Sequence, residues 1–367
     1  AEPRRWTDLS GSMTTMDPEE ILQDVLRFYL DSGDFNGCPV AKLVRPDRSA
    51  SDLRAAIETL IRSRQVDVLT PDTSENTHIK RFSPLPVEKQ LEHFGLTADC
   101  FHVCLYPHPE VLKAQVDTAR FDGRPFELEL ALGAEQLAPR AFDLTVLEFY
   151  RSDPRYHYWC DEIHGSISIG NDYYRSPDVP ERDQVLLETF GFAYNDSLDR
   201  AVTTFVRYLA KLTAEHQQIW KAKQLGPEFK MHPAFFRSHI LGEWPDQIPV
   251  FTAFWMELEL INQMAGAIGR PPLFRDTSSR PRNFAFLIRP TAAEFNDFVL
   301  TLDKLISDNL NREFFQGQLD LEEDSERADG KIVVRQKGTL ALLEEWLRKR
   351  FRTTDWTPLE EAMSTFK

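Results

Sequence analysis

Residues 17–33 read DPEEILQDVLRFYLDSG and predict the first helix of the chain. Asp17 can accept hydrogen bonds from free N–H groups of the first turn, and Pro18 follows where its missing N–H does no harm. Glu20 is placed to complete a reciprocal cap. Apolar residues then recur at helical spacing, at Ile21, Leu22, Val25, Leu26 and Tyr29. Asp31-Ser32-Gly33 ends the pattern.

A second helix is predicted over residues 51–64, SDLRAAIETLIRSR, with Ser51 as its cap. Its apolar face is formed by Leu53, Ala56, Ile57, Leu60 and Ile61. A short apolar piece at 38–40 and a basic turn at 42–48 precede it. The helical spacing of the apolar residues ends before 66–69. A turn-rich stretch covers 70–76, and residues 78–82 are predicted to form a return strand.

The order helix, short strand, short helix, longer helix and hairpin resembles a winged helix-turn-helix over residues 17–82. The resemblance implies duplex DNA as a partner through residues 41–82, with the second long helix in the major groove. The residues expected to contact bases are Ser49, Ser51 and Arg54. Those expected to contact phosphates are Arg45, Arg48, Arg62, Arg64, Lys80 and Arg81.

A second interpretation of this helix is purely structural. Glu58 lies between Arg54 and Arg62 on the face opposite the apolar stripe and would repel phosphates. Arg–Glu pairs four residues apart are also common on solvated helices, where each contributes about 0.2–0.5 kcal/mol. Modules of this shape dock proteins as well as DNA, so the pattern alone leaves both partners open.

The bulk composition restricts where nucleic acid could bind. The chain has 367 residues, with 42% apolar and 28% charged side chains, as in soluble globular proteins. Its 43 Lys and Arg against 58 Asp and Glu give a net charge of −15. This charge argues against a protein that coats nucleic acid over its whole surface. Within 41–64 the balance reverses to six basic against three acidic residues, so any such contact is expected there.

The cellular location and the natural start of the chain are also predicted from the sequence. Four scattered cysteines, Cys38, Cys100, Cys104 and Cys160, do not form a disulfide framework, and they favour a reducing cytoplasm. No apolar run reaches membrane-spanning length, so no membrane partner is expected. Gly11-Ser12-Met13 resembles a cloning junction, and residues 1–12 are therefore excluded from the fold prediction.

The predicted fold class is α+β in three domains: a winged helix at 13–85, a mixed α+β domain at 86–180, and a mainly helical domain at 181–367 packed on the middle one. Strands are predicted at 101–105, 126–130 and 332–334. Helices are predicted at 109–119, 201–212, 213–225, 251–268, 292–315 and 340–351. The helix at 251–268 is apolar almost all round, which predicts a place in the core.

The region after residue 85 carries no recognisable reaction centre. Gly-rich phosphate loops, dinucleotide fingerprints and nucleophile elbows are missing from the sequence, so no cofactor and no catalytic residue is assigned. Cys100, His102 and Cys104 alternate on a predicted strand, but three successive same-face ligands close a zinc tetrahedron poorly, and buried cysteines are the commoner outcome. No metal ligand is assigned either.

Three functions follow as hypotheses. The leading one is a DNA-binding or adaptor protein whose acidic body, residues 86–367, engages another protein or a second copy. The first alternative is an assembly subunit of a multiprotein complex without nucleic-acid contact. The second is a metal-dependent hydrolase or nuclease with a site in the middle domain near His157, Cys160, Glu162 and His164.

Overall fold

The computed structural model describes residues 17–365 except 47, 98–99, 176–178, 244–247, 279, 282, 290, 328–329 and 352–354. The proposed cloning remnant, 1–12, lies outside the described residues. The described chain forms two compact units, one of residues 17–158 and 163–243 and the other of residues 159–162 and 248–365. Each contains helices and antiparallel strand pairs, which confirms the α+β class.

The chain opens with a helical and three-stranded part. Its elements are α1 (Pro18–Asp31), β1 (Cys38–Pro39), α2 (Val40–Leu43), α3 (Ala50–Arg62), β2 (Val66–Leu69), α4 (Val87–Leu96), β3 (Cys104–Pro107) and α5 (Pro109–Gln115). α1 begins as predicted, since the Glu19 N–H donates to the Asp17 carboxylate at 3.0 Å. The predicted apolar stripe of α1 is buried. α3 is capped by Ser49, whose hydroxyl accepts from the Asp52 N–H at 3.1 Å, and not by Ser51 as predicted.

The return strand predicted at 78–82 is not a strand, and this prediction is wrong. The strand that joins the sheet is β3, which pairs antiparallel with both β1 and β2, so the order is β1-β3-β2. All four β3 residues are buried. A strand buried on both faces suits the centre of the sheet, whereas the polar 70–82 segment lacks the apolar residues to fill that place.

Residues 116–243 form a larger sheet with surrounding helices. The elements are α6 (Pro125–Ala131), β4 (Pro139–Phe142), α7 (Val146–Arg151), β5 (Tyr156–Cys160), β6 (His164–Ile169), α8 (Asn171–Tyr174), β7 (Leu186–Tyr194), β8 (Arg200–Phe205), α9 (Val206–Ala210), α10 (Ala214–Ala222), β9 (Lys230–Met231) and α11 (Pro233–His239). Short 3₁₀ turns cover Thr118–Phe121 and Glu181–Asp183. The strand order is β4-β8-β7-β6-β5, with β9 beside β7.

Two predictions in this region are wrong about the type of element. Residues 126–130, predicted as a strand, belong to helix α6, whose first residue is Pro125. The buried residues Phe126, Leu130 and Ala131 have helical spacing, and a short alternating run satisfies both periods. Residues 201–205, predicted as helix, form β8, which pairs with β4 on one side and β7 on the other. The two adjacent threonines of β8 favour a strand.

The second unit holds the remaining elements. They are α12 (Val250–Ala267), α13 (Ala292–Asp303), a π-helical turn (Lys304–Asp308), a 3₁₀ turn (Arg312–Phe315), β10 (Glu322–Glu326), β11 (Ile332–Gln336), α14 (Thr339–Arg350) and α15 (Thr357–Thr365). β10 and β11 form a hairpin, and β11 contains the strand predicted at 332–334. The core collects Leu258, Phe274, Leu310, Phe315 and Leu342.

The predicted core position of the 251–268 helix is wrong. Among the described side chains of α12, only Leu258 and Ala265 are buried. Burial of a helix that is apolar all round requires neighbours on every side along its whole length. The core of the second unit contains Leu258 and Ala265, whereas Met256, Leu260 and Met264 stay exposed.

The observed division also differs from the one predicted at residues 85 and 180. Residues before position 85 are hydrogen-bonded to the chain far beyond it. The Tyr29 hydroxyl donates to the Leu130 carbonyl at 2.5 Å, and the Gln136 amide oxygen accepts from the Lys80 N–H at 2.7 Å. These buried bonds make the first unit continuous across the predicted linker.

Candidate functional site

Arg45 and Arg48, two of the predicted phosphate contacts, are ion-paired to α1. The guanidinium of Arg45 lies 2.7 Å from the Asp24 carboxylate, and that of Arg48 lies 3.1 Å from the same group. Arg48 also donates to the Leu43 carbonyl at 3.2 Å and is buried. Burial and ion pairing of this guanidinium argue against the predicted phosphate contact of Arg48.

The two predicted base-reading serines lie at the start of α3. Ser49 caps the helix, and its hydroxyl lies 3.0 Å from the exposed hydroxyl of Ser51. The capping role of Ser49 uses its oxygen as an acceptor for the backbone. Ser51 remains exposed at the surface.

Arg54, the third predicted base contact, fastens α4 to α3. Its guanidinium donates to the carbonyls of Phe94 at 2.8 Å and Gly95 at 2.5 Å. It lies 5.3 Å from the centre of the Phe94 ring and 3.7 Å from the Glu58 carboxylate. Charge-assisted hydrogen bonds of this kind satisfy the carbonyls at the C-terminal end of α4.

The predicted wing residues are also engaged within the first unit. Lys80 is 2% exposed, and its ammonium donates to the Gly133 carbonyl at 3.2 Å over the ring of Tyr106. Burial lowers the pKa of Lys80. The enclosure of the side chain argues against the predicted contact of Lys80 with phosphate. Arg81 is half-buried, 3.7 Å from Glu75.

The exposed face of α3 is nearly neutral. Its fully exposed positions are Ser51, Ala55, Thr59 and Arg62. Arg64, just beyond the helix, is exposed too. Of the six predicted phosphate contacts, Arg62 and Arg64 are thus the two that the structure leaves exposed with no ion pair to any described residue.

A cavity of about 230 Å³ opens beside the C-terminal end of α3. We call it the Asp67 pocket, lined by Ile61, Arg64, Asp67, Leu85, Gln90 and His108. The Gln90 amide nitrogen donates to Asp67 Oδ1 at 3.1 Å and to the Leu85 carbonyl at 2.7 Å. The sequence contained one signal for this site, a carboxylate between two valines of a strand.

The cysteine and histidine candidates of the first unit do not form a metal site. Cys100 and Cys104 are buried while His102 is exposed, so the three do not share a face. The Cys104 sulfur lies 3.5 Å from His78 Nδ1, and burial raises the pKa of this thiol to about 11. No group of three or more potential metal ligands occurs in the described part of the chain.

The residues of the hydrolase hypothesis serve separate local roles. In the first unit, His157 is exposed on β5 while its neighbours Tyr156 and Tyr158 are buried, and the His164 ring lies 5.8 Å from that of His239. In the second unit, the buried Cys160 thiol donates to the Asp161 carbonyl at 3.1 Å. Glu162 accepts a short hydrogen bond from the Val250 N–H.

α12 carries an exposed apolar stripe in the second unit. The four side chains, which we call the α12 stripe, are Met256, Leu260 and Met264 of α12 and Ile268 at its C-cap, exposed by 53%, 46%, 61% and 66%. Their spacing of four residues places them on one face. At 1.5 Å per residue the stripe is about 18 Å long.

The flanks of the α12 stripe are acidic. Glu257 and Glu259 are both exposed, and α12 contains no Lys or Arg. Contiguous apolar surface with a polar border is typical of a protein-binding site. The four-residue spacing of these large apolar side chains is visible in the sequence. It does not stand out as a separate stripe, because the other faces of α12 are apolar as well.

Neither a family model, nor a curated protein, nor a solved structure matches this chain. The described helices include none that is both long and apolar enough to cross a lipid bilayer. The geometry of the described chain offers two candidate sites, the α12 stripe and the Asp67 pocket.

Proposed function

We propose that this protein is an adaptor that assembles with another protein, and that an amphipathic helix of the partner docks along the α12 stripe. The observation that carries the proposal is the exposure of four large apolar side chains in a row on one helix. An amphipathic helix that docks on such a surface contacts it with apolar residues three to four positions apart. A partner helix of about four turns would cover the 18 Å length.

The partner helix is expected to carry Lys or Arg beside its apolar face. Glu257 and Glu259 border the stripe, and no cation of α12 offsets them. Charges at the rim of an interface set the association rate and the choice of partner more than the affinity. A basic border on the partner would therefore be selected over an acidic one.

A second copy of the chain is a poorer occupant for the same reason. It would bring another Glu257 and Glu259 without any basic residue from its own α12. The whole chain carries a net charge of −15, so two copies also repel at longer range. A different protein with a basic border avoids both the local and the long-range repulsion.

We infer that residues 17–107 form a winged-helix module with an insertion at 70–103. The support is the order α1, β1, α2, α3, β2, β3 with β3 between β1 and β2. In this module Arg45, Arg48 and Arg54 hold α1 and α4 in place. We propose that the module is structural, which favours assembly over DNA reading.

Two matched peptides test the docking proposal. Both are amphipathic helices of about 20 residues with the same leucine face, one flanked by lysine and the other by glutamate. The labelled lysine peptide should bind the full chain, and its affinity should fall as salt rises. The glutamate peptide should bind at least about tenfold more weakly. Equal binding of both peptides would refute the acidic-border argument.

The oligomeric state separates the two possible occupants. Analytical ultracentrifugation of the full chain should show a monomer at micromolar concentration. A dimer that Leu260→Gln together with Met264→Gln converts to a monomer would assign the α12 stripe to a second copy, and the proposed heterologous partner would be wrong.

Contact with duplex DNA is the second candidate function, and the exposure of Arg62 and Arg64 favours it. Arg62→Gln combined with Arg64→Gln should then weaken binding to random duplex and lower its salt dependence by up to two phosphate contacts. Exposed Lys113→Gln serves as the control. Absence of binding by the unmodified chain at low salt would exclude this function.

A further inference from the structure

We propose that the Asp67 pocket binds an alkylammonium group whose far end carries an anion. The first observation is the state of Asp67. Its side chain is 7% exposed, and Oδ1 accepts one hydrogen bond, from Gln90. The structure gives Oδ2 no hydrogen bond with any described residue, while Asp67 lines the cavity. A carboxylate this deeply buried is stabilised by a further donor, above all a cationic one.

Gln90 is fixed as the neighbour of Asp67 and cannot supply that donor. Its amide oxygen accepts from the Val68 N–H at 2.8 Å, and its nitrogen is shared between Asp67 and the Leu85 carbonyl. Lys80 contributes a positive field, because Asp67 opposes the lowering of the Lys80 pKa by burial. Its ammonium, however, is bonded to the Gly133 carbonyl. Oδ2 is therefore left as an acceptor on a residue that lines the cavity.

The walls of the pocket fit an aliphatic stem. Ile61 and the segment Pro84-Leu85-Pro86 form much of the lining. The cavity volume of about 230 Å³ lies below the roughly 300–1,000 Å³ of pockets for drug-sized ligands, so the space suits a smaller molecule. A ligand of about eight non-hydrogen atoms fits this space, which corresponds to an ammonium, a chain of four methylene groups and a carboxylate.

Two other lining residues offer donors for the anionic end. His108 Nδ1 accepts from the Glu110 N–H at 3.3 Å, which leaves Nε2 as the ring nitrogen that can donate. Arg64, also in the lining, supplies a guanidinium. A ligand with a cation alone would meet the like charge of Arg64, whereas a ligand that carries both charges would not.

The backbone of Arg64 gives independent support. Arg64 has φ of 53°, in the left-handed region, at the position that follows the α3 C-cap. Glycine is favoured there, because a side chain in this conformation strains the backbone. The fold alone would thus be better served by glycine, whereas an arginine in the pocket lining can contact a ligand.

The ligand chemistry has two sources, a free amino acid-like molecule or a lysine beside an acid in another protein. The free-ligand probe is 5-aminopentanoate, matched by pentylammonium, which lacks the anion, and pentanoate, which lacks the cation. The peptide probe is acetyl-Gly-Lys-Asp-Gly-amide. Ligand-observed NMR with the full chain should give saturable binding of one charge-paired probe with a Kd near 1 mM.

The variants separate binding from folding. Asp67→Asn keeps an oxygen that can accept from Gln90. It should lower the affinity for the charge-paired probe at least about tenfold, which corresponds to one lost charge-assisted hydrogen bond. Val87→Phe, at another lining position, should block the pocket without touching Asp67. Arg64→Gly should preserve or raise the melting temperature and reduce binding to the level of pentylammonium. Exposed Asp72→Asn is the matched control and should bind as the unmodified chain does.

The source is assigned by which probe binds more tightly, and either result supports the proposal. Failure of both charge-paired probes at about ten times the expected Kd would overturn it. So would binding that Asp67→Asn leaves unchanged, or pentanoate binding as tightly as 5-aminopentanoate. None of these results depends on the α12 stripe, so the docking proposal stands or falls separately.

Discussion

Replacing Leu260 and Met264 together by glutamine is the sharpest test of the α12 stripe. Glutamine has nearly the helix propensity of leucine and methionine, so α12 itself should be unaffected. The two side chains are 46% and 61% exposed. Because this area is already in water, the free protein should lose little stability.

The loss in binding can be estimated from the exposed fractions. Complete burial of a leucine or methionine side chain contributes about 1.5–3 kcal/mol. The 46% of Leu260 and 61% of Met264 that a partner can still cover correspond to about 0.7–1.4 and 0.9–1.8 kcal/mol. The loss of their sum, about 1.6–3.2 kcal/mol, lowers the affinity for the lysine-flanked peptide by roughly 15- to 200-fold.

The assay is fluorescence anisotropy with the labelled lysine-flanked peptide, together with a thermal melt of each variant. Leu96→Gln is the control, since Leu96 lies at the end of α4 and is 78% exposed. The control should leave the Kd unchanged. An unchanged Kd in the double variant would refute the docking surface. A fall of several degrees in its Tm would instead show that the stripe is covered within the free protein.

Three further predictions concern the first unit. Gly191→Ala should destabilise it by about 1–3 kcal/mol, because the added Cβ would lie 2.4 Å from the Phe235 ring; chemical denaturation checks this. Tyr150→Phe should cost about 1–3 kcal/mol, since the buried Trp220 N–H donates to the lost hydroxyl at 3.0 Å; an undiminished urea midpoint would contradict it. Burial lowers the pKa of His216 below its usual 6.5, so the unfolded chain binds the proton more readily and stability falls as pH drops through about 6.5 towards the folded pKa; His216→Gln should flatten this part of the pH profile.

Local elements are predictable where the capping residue and the spacing of the apolar residues indicate the same helix. α1 follows from Asp17, Pro18 and one apolar face, and its neighbours in sequence suffice to specify it. The strand near residues 101–105 was also predicted, close to the observed Cys104–Pro107. Its partners were not, because the choice between 78–82 and 104–107 depends on which segment can be buried between β1 and β2.

The charged side chains were the least predictable part of the candidate site. The sequence shows that Arg45, Arg48 and Arg54 are basic and near α3, but not that Asp24 and the end of α4 engage them. A cation on a helix is equally compatible with phosphate, carboxylate or a carbonyl. Only the tertiary placement of α1 and α4 distinguishes these partners.

The α12 stripe shows the opposite case, in which the apolar pattern of the helix is clear but predicts the wrong environment for it. An apolar periphery on all sides predicts burial only if enough other segments surround the helix. In the second unit these segments cover Leu258 and Ala265. The pattern of hydrophobicity states what must be covered, and it does not state whether this chain or another one covers it.

The late position of β3 in the sequence has a consequence for biogenesis. During synthesis β1 and β2 emerge well before Cys104–Pro107, so both wait as unpaired strands until that tetrapeptide has left the ribosome. Closing the small sheet then means joining Cys38 to Leu105 across most of the nascent segment, a non-local step that slows folding. A fragment ending at residue 85 would lack the middle strand altogether and would expose aggregation-prone edges.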